Sequence, residues 1–174
     1  GLARANNGKL YGIMGTGGKY NGGTLFEFDP VKCVLVKKVD FLGSKTGRAP
    51  NTELFAASNG KIYGSTTYGG QFEQGTLFEY DPEKNSIVVK LNFNNANKNR
   101  FAMMGPTEAP NGKFYGIWGD GFTSREGVLY EYDPLNDSLL EIATLKEGTY
   151  GNTIYTGIYC LYGKIYTWLS SHYQ

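Results

Sequence analysis

One phrase is written three times in this chain at a constant distance. "NGKLYGIMGTGG" begins at Asn7, "NGKIYGSTTYGG" at Asn59 and "NGKFYGIWGDG" at Asn111. The glycines of the three NGK units, Gly8, Gly60 and Gly112, stand 52 residues apart, and a fourth unit, "YGKIYT", places Gly163 after 51 more. A second phrase keeps the same register: "GTLFEFDP" from Gly23, "GTLFEYDP" from Gly75 and "GVLYEYDP" from Gly127. A third block keeps only its apolar pattern, as "VLVKKVDF", "SIVVKLNF" and "SLLEIATL". Three complete copies therefore align without a gap. A repeat of this length is one supersecondary unit that cannot bury its apolar surface alone, so the copies must stack.

Within a copy the strand signals are clear. "ELFAA" runs to Asn59-Gly60, and Asn-Gly predicts a two-residue hairpin turn. "KIYGSTTYG" follows and ends at Gly69-Gly70; "GTLFEYD" is closed by Asp81-Pro82, since proline pre-sets a turn and cannot donate to a ladder. "SIVVKLNF" is the fourth strand, and no helical periodicity of useful length appears. The 25 glycines and 14 tyrosines suit strands joined by tight turns, and 40% apolar residues suffice for a core. Four antiparallel strands per copy, A to D, predict an all-β fold: a β-propeller with kelch-like period, built of tandem four-stranded blades. The reading is a single repeat domain over 1–174, with blades near 1–42, 53–93 and 105–145 and a half blade over 154–171. Blades pack on blades, so both faces of the middle strands should be largely apolar. A stack of hairpins with no ring is the structural alternative.

At these residues the chain resembles a known family. Leu54, Ala57, Gly60, Ile62, Tyr63, Gly64, Thr66, Gly69, Gly70, Gly75, Thr76 and Phe78 carry a pattern similar to the GloVer tandem repeat. The third copy departs from it with Phe122 in place of the second glycine and Val128 in place of threonine, and the fourth stops after "YGKIYT". The diglycine is also kelch-like, but the usual downstream tryptophan of kelch is absent. The resemblance covers nearly the whole chain. It implies kelch-like propeller repeats of bacterial surface or secreted proteins, hence an extracytoplasmic setting, and it brings no catalytic residues.

Propellers typically have about four to eight blades. Three blades and a half would leave two blade faces and several strand edges in water. Two remedies are expected: the chain is a fragment of a longer propeller, or it is a homo-oligomer. In the second case, strand A of the C-terminal half blade would complete blade one of a partner.

Several chemistries find no support. Lys plus Arg (17) nearly cancels Asp plus Glu (16), which gives no reason to expect nucleic acid or an anionic membrane surface as partner. No stretch has the apolar length of a membrane span, and no signal peptide is visible, although a processed start would look the same. Cys33 and Cys160 fall at unrelated places in the repeat and are read as free, structural thiols. The one histidine, His172, is the third residue from the end, where a base cannot be held in orientation. There is no CxxC, HExxH or EF-hand loop, so no metal and no cofactor are expected. The glycine-rich phrases lack a Gly-Lys-Ser/Thr ending and precede strands, which argues against phosphate binding. Repeated acids, Glu27, Glu79 and Glu131, and Asp29, Asp81 and Asp133, could suggest glycoside hydrolysis. A residue repeated in every blade serves every blade, however, so these are read as salt bridges and Asx-type turn formers, and no catalytic residue is assigned.

The unrepeated residues are the better candidates. In a propeller the B–C and D–A loops lie on one face around the axial mouth. Here the B–C segments differ, as "GTGGKYNG", "TYGGQFEQG" and "GDGFTSREG", and supply Tyr20, Tyr68, Phe72, Trp118, Asp120, Phe122 and Arg125. The D–A loops add Lys45, Arg48, Lys98, Asn99 and Arg100. Aromatic rings beside Asp, Asn and Arg are what sugar or peptide recognition needs; the alternative is that the rings fill gaps between blades. Tyr11, Tyr63, Tyr115 and Tyr166 are assigned to the core. The expected function is a non-catalytic module binding a glycan or protein through the variable loop face. A polysaccharide lyase or hydrolase, and a ligand-free spacer, are the alternatives.

Overall fold

The structure, a computed structural model, describes residues 1–94, 101–102, 106–119, 127–145, 158–161 and 164–167. They form two compact units, Gly1–Asn94 and Asn95–Gln174. In the first unit, β1 (Ala3–Arg4), β2 (Leu10–Met14), β3 (Thr24–Asp29) and β4 (Val34–Asp40) form one antiparallel sheet in sequence order. A short helix, α1 (Gly43–Thr46), leads to the second sheet. Its members are β5 (Arg48–Pro50), β6 (Phe55–Ala56), β7 (Ile62–Tyr68), β8 (Thr76–Asp81) and β9 (Ser86–Asn92), in the order β5-β7-β8-β9 with β6 also on β7. The second unit repeats this plan with β10 (Phe101–Ala102), β11 (Thr107–Glu108), β12 (Phe114–Gly119), β13 (Gly127–Asp133) and β14 (Ser138–Leu145). A hairpin of β15 (Ile158–Leu161) and β16 (Lys164–Thr167) follows. The architecture is thus three antiparallel blades and a half blade.

Two positions explain much of the repeated phrase. Gly60 has φ +80°, and its amide donates to Ala57 O while Ala57 N donates to Lys61 O. The loop therefore holds three residues, Ser58, Asn59 and Gly60, where Asn-Gly had predicted two. The asparagine stays out of the left-handed region because its side chain is already engaged, so only the glycine adopts it. Gly64 answers a different need. It lies opposite Phe78 on β8, and a Cβ there would stand 2.6 Å from Phe78 Cζ and 2.8 Å from Leu54 Cδ2. Phe26 lies over Gly12 and Tyr130 over Gly116 in the same way. An aromatic ring from strand C fills each bare stretch of strand B.

Alternation across the strands makes each sheet two-faced. In the first unit, Ala3, Ala5, Tyr11, Leu25 and Phe41 of the first repeat pack against Leu54, Ile62, Phe78 and Tyr80 of the second. Tyr11 and Tyr80 lie 5.8 Å apart and tilted, and Phe41 meets Phe78 edge-on at 5.1 Å. The outer strand β4 is mostly exposed, as an edge strand is.

The structure corrects the sequence reading in several places. Strand A of the second sheet is in two pieces, β5 and β6, both paired with β7. Arg48, expected in a loop, is in β5 and pairs with Tyr68. The first sheet has a short strand A of its own, β1, which pairs with Leu10 and Tyr11 of β2. Tyr166 is 46% exposed, and no described strand beyond β16 covers it. Cys33 is free but exposed, at φ +54° in the turn after β3, where it cannot act as a packed thiol. Its counterparts Asn85 and Asp137 have the same backbone and accept hydrogen bonds from Tyr80 and Tyr132. The first repeat has Phe28 instead, with no hydroxyl to be received.

These two glycine roles separate experimentally. Gly64→Ala overpacks against Phe78 and should cost about 1–3 kcal/mol in urea unfolding. Gly60→Ala meets no atom within 4 Å and should cost about 1–2 kcal/mol from backbone strain alone. Shortening Phe78 to Leu should couple favourably to the first substitution and be additive with the second.

Candidate functional site

Each NGK phrase builds a polar latch around the tyrosine that follows it. Asn7 Oδ1 accepts from Lys9 N at 3.0 Å and Asn7 Nδ2 donates to the Tyr11 hydroxyl oxygen at 2.9 Å. The Tyr11 hydroxyl donates to Glu27 Oε2 at 2.5 Å, and Lys9 Nζ donates to Glu27 Oε1 at 2.7 Å. The third sheet repeats this with Asn111, Lys113, Tyr115 and Glu131, at 3.1, 2.6 and 2.6 Å for the side-chain bonds. In the second, Asn59 and Glu79 hold Tyr63 at 3.0 and 2.7 Å, while Lys61 turns to Asp81 Oδ2 at 2.6 Å. Asp29, Asp81 and Asp133 also accept backbone amides of the following turns, as Asx-type turn formers do.

Electrostatics follow from this geometry. Burial pushes the Glu27 carboxyl up, but hydrogen bonds from Lys9 and Tyr11 and the charges of Lys38 and Lys9 outweigh it, and the net shift is down. Glu131 is lowered by hydrogen bonds from Lys113 and Tyr115, and Asp81 by its bond from Lys61. Burial raises Tyr11, helped by its bond to Glu27, and burial pushes Tyr80 up to about 12. These acids are committed as ionised acceptors inside the sheets.

The unrepeated candidates gather elsewhere, at the ends of the first two sheets. Arg48 and Tyr68 are cross-strand partners, so their side chains share one side of the sheet, and the guanidinium lies 4.9 Å from the centre of the tyrosine ring. Arg48 Nη2 also stands 3.7 Å from Glu73 Oε2. Backbone bonds tie three loops around this pair: Ala49 N donates to Gly22 O at 2.8 Å and Gly70 N to Gly43 O at 2.7 Å. The Thr76 hydroxyl, itself against Thr66, donates to Thr46 O at 3.0 Å and fixes the segment that carries Lys45. Asp40 Oδ1 and Asn92 Oδ1 cap the two diglycine loops through Lys19 N and Gln71 N, at 2.8 Å each. On these loops Tyr20 and Phe72 are exposed, with Lys19 Nζ 5.2 Å from the Tyr20 ring centre.

The structure therefore brings Arg48 and Tyr68 into contact and places Tyr20, Lys45 and Phe72 on the loops and helix around them. Trp118 lies in β12 opposite Ala102 and Val128. Lys98, Asn99, Arg100, Asp120, Phe122, Arg125 and His172 lie outside the described residues. Sequence reasoning missed Glu73 and Lys19. Their signal was the alternation of charge with aromatic rings in "GGKYNG" and "GGQFEQ". Among the described residues no group of three or more His, Cys, Asp or Glu could hold a metal ion, and no helix is long and apolar enough to cross a membrane.

The profile of the Gloeobacter/Verrucomicrobia repeat matches residues 1–173. Among solved structures the chain is similar to TolB from Acinetobacter baumannii, at 14% identity and a TM-score of 0.52, over 82% of this chain and 31% of that one. It is also similar to the tricorn protease, at 14% identity and a TM-score of 0.47, over 82% of this chain and 12% of that one. The chain thus spans under a third of the length of either. No curated protein sequence matches it. At such identity the likeness to TolB bears on the fold alone, and that fold is of β-propeller type.

The latch predicts how stability depends on pH. Carboxyls held below their ordinary values of 4.5 and 3.8 give stability that is present above those values and lost as pH falls through the folded ones. Tyrosines held above their ordinary 10.0 give stability that is present below pH 10 and lost as pH rises beyond it. Urea midpoints should therefore be flat between these limits and fall on both sides. Tyr11→Phe should lower the plateau by about 1–3 kcal/mol and shrink the acid limb, because Glu27 loses a donor.

Proposed function

Since the chain belongs to the Gloeobacter/Verrucomicrobia repeat family, we propose that it is a non-catalytic β-propeller repeat module that binds a glycan through the loop ends of its first two blades. One observation carries this reading: Arg48 stacked at 4.9 Å on an exposed Tyr68, with the Glu73 carboxylate 3.7 Å from the guanidinium. Rings that reach solvent at the end of a rigid sheet offer an apolar plate, and a guanidinium with a carboxylate offers directional hydrogen bonds. Tyr68 and Glu73 stand at positions that differ between copies, whereas the latch residues are spent on the fold; Arg48 recurs 52 residues on as Arg100. A protein segment is the second ligand class this surface suits, because an Arg–Glu pair beside rings also fits a peptide. An extracytoplasmic setting goes with this reading through the family resemblance.

Catalysis of the polysaccharide lyase or hydrolase kind finds less support. It calls for two acids free to exchange protons with a substrate, whereas Glu27 and Glu131 are bonded to a lysine and a tyrosine and Asp81 to a lysine.

A glycan array probed with the chain tests the proposal, followed by titration of the best binder. Tyr68→Ala and Arg48→Ala should each weaken that binding roughly tenfold or more, about 1.4 kcal/mol, without moving the thermal midpoint. Unchanged affinity in both variants, or a fall in stability equal to the loss of binding, would reject the site.

A further inference from the structure

Three loops of the first unit meet on one arginine. A Cβ on Gly43 would stand 3.2 Å from Arg48 Cδ, and one on Gly22 would stand 3.4 Å from Arg48 Cβ. The Tyr68 ring centre lies 4.9 Å from the guanidinium carbon. The stem of Arg48 is therefore held close to two glycine backbones, and its planar head is set against a ring. Such support places the guanidinium before any ligand arrives, which lowers the entropy cost of binding. Yet its fork of donors is unused. Arg48 makes no hydrogen bond among the described residues, and its ion pair to Glu73 Oε2 spans 3.7 Å, where a charge-assisted bond measures about 2.7–2.9 Å.

Glu73 sits on a costly backbone. Its φ of +57° is in the left-handed region, which a glutamate rarely adopts. Fifty-two residues earlier the same conformation belongs to Asn21, at φ +52°, whose side chain accepts from Gly17 N at 3.1 Å and so serves its own loop. Glu73 instead brings its carboxylate toward Arg48. A residue kept in a strained conformation at a loop end points to a use outside the fold. The charge around it is mostly positive. Residues 15–23, 41–50 and 69–75 carry Lys19, Lys45 and Arg48 against Glu73 alone, and the adjoining Asp40 is bonded to Lys37 and to the Lys19 amide.

We propose that the Arg48 fork receives a carboxylate, so that the glycan bound at this surface is a uronate-bearing one; the inference rests on the glycan reading given above. The sugar carboxylate lies in the guanidinium plane and accepts two parallel N–H bonds, the pairing that arginine geometry favours. Glu73 is the stand-in that it displaces. Its side chain is 65% exposed and too distant for a hydrogen bond, so it can swing into water when the ligand arrives. Its negative charge meanwhile opposes anions that cannot form both bonds. Lys19 and Lys45 add attraction at longer range, which salt screens. A neutral glycan would leave the fork unfilled.

Isothermal titration of the full chain tests this with oligosaccharides of galacturonate, glucuronate and mannuronate, each beside its methyl ester, and with an oligo-aspartate peptide. At least one acid form should bind roughly tenfold or more tighter than its ester, with affinity falling as salt rises. Arg48→Gln should erase that preference. Glu73→Gln should tighten the acid form roughly threefold or more, because a competing charge is gone. Both side chains are at least half exposed, so the fold should survive, as an unmoved thermal midpoint would verify. Esters that bind as tightly as acids, or a Glu73→Gln variant that binds the acid form more weakly, would overturn the proposal and leave the glycan reading in place. Tighter binding of the peptide than of every sugar would overturn both. If neither form of any of these sugars binds, the proposal falls, and the glycan reading falls with it only if an array of neutral glycans is blank as well.

Discussion

A tyrosine hydroxyl buried in an apolar interface is the constraint around which each sheet is arranged. The ring at Tyr11 supplies bulk to the contact between sheets, but its oxygen cannot enter that contact unpartnered. Glu27 accepts from it, and a carboxylate so placed needs a cation, which Lys9 supplies from the far side of the hairpin. Asn7 completes the circuit by donating to the same hydroxyl and receiving the Lys9 amide. The letters Asn, Gly, Lys, Tyr, Gly therefore form one device, with the first glycine giving the bend and the second making room for a ring. The second sheet shows how much of it is essential: Lys61 has moved to Asp81, yet Tyr63 keeps both Asn59 and Glu79.

Much of this was legible because it is local and repeated. The 52-residue spacing revealed the number of blades, and the strand ends were announced by Asp-Pro and diglycine. The repeated acids make ion pairs and turn bonds of the kind that their repetition suggested. What escaped was set by tertiary context. Nothing in "KIYG" says which acid Lys61 will choose, since both lie within reach along one strand. The splitting of strand A depends on pairing between β5 and β7, which no periodicity announces. Tyr166 has the residue type of a core position, yet it is half-exposed among the described residues.

The candidate surface was legible as composition but not as geometry. Arg48 and Tyr68 were picked out as loop-face residues, of which only Tyr68 differs between copies, while their stacking follows from a strand register that appears only in three dimensions. A division of labour results. Repeated positions close the sheets from within, and the unrepeated ones are free to vary at the loop ends because the diglycine loops are pinned from below by Asp40 and Asn92.

The spacing of the latch has a kinetic consequence. Its partners lie only 16 to 18 residues apart in the chain, within a single hairpin. Contacts at such short separation cost little loop-closure entropy, so a hairpin can secure itself before any long-range contact exists. The edge-on packing of Phe41 on Phe78 between sheets spans about twice that distance and must come later. Emerging from a ribosome, the chain would thus set one blade while the next is still being made. The same local closure lets a blade be duplicated or lost in evolution without redesigning the rest, since each carries its own fastening.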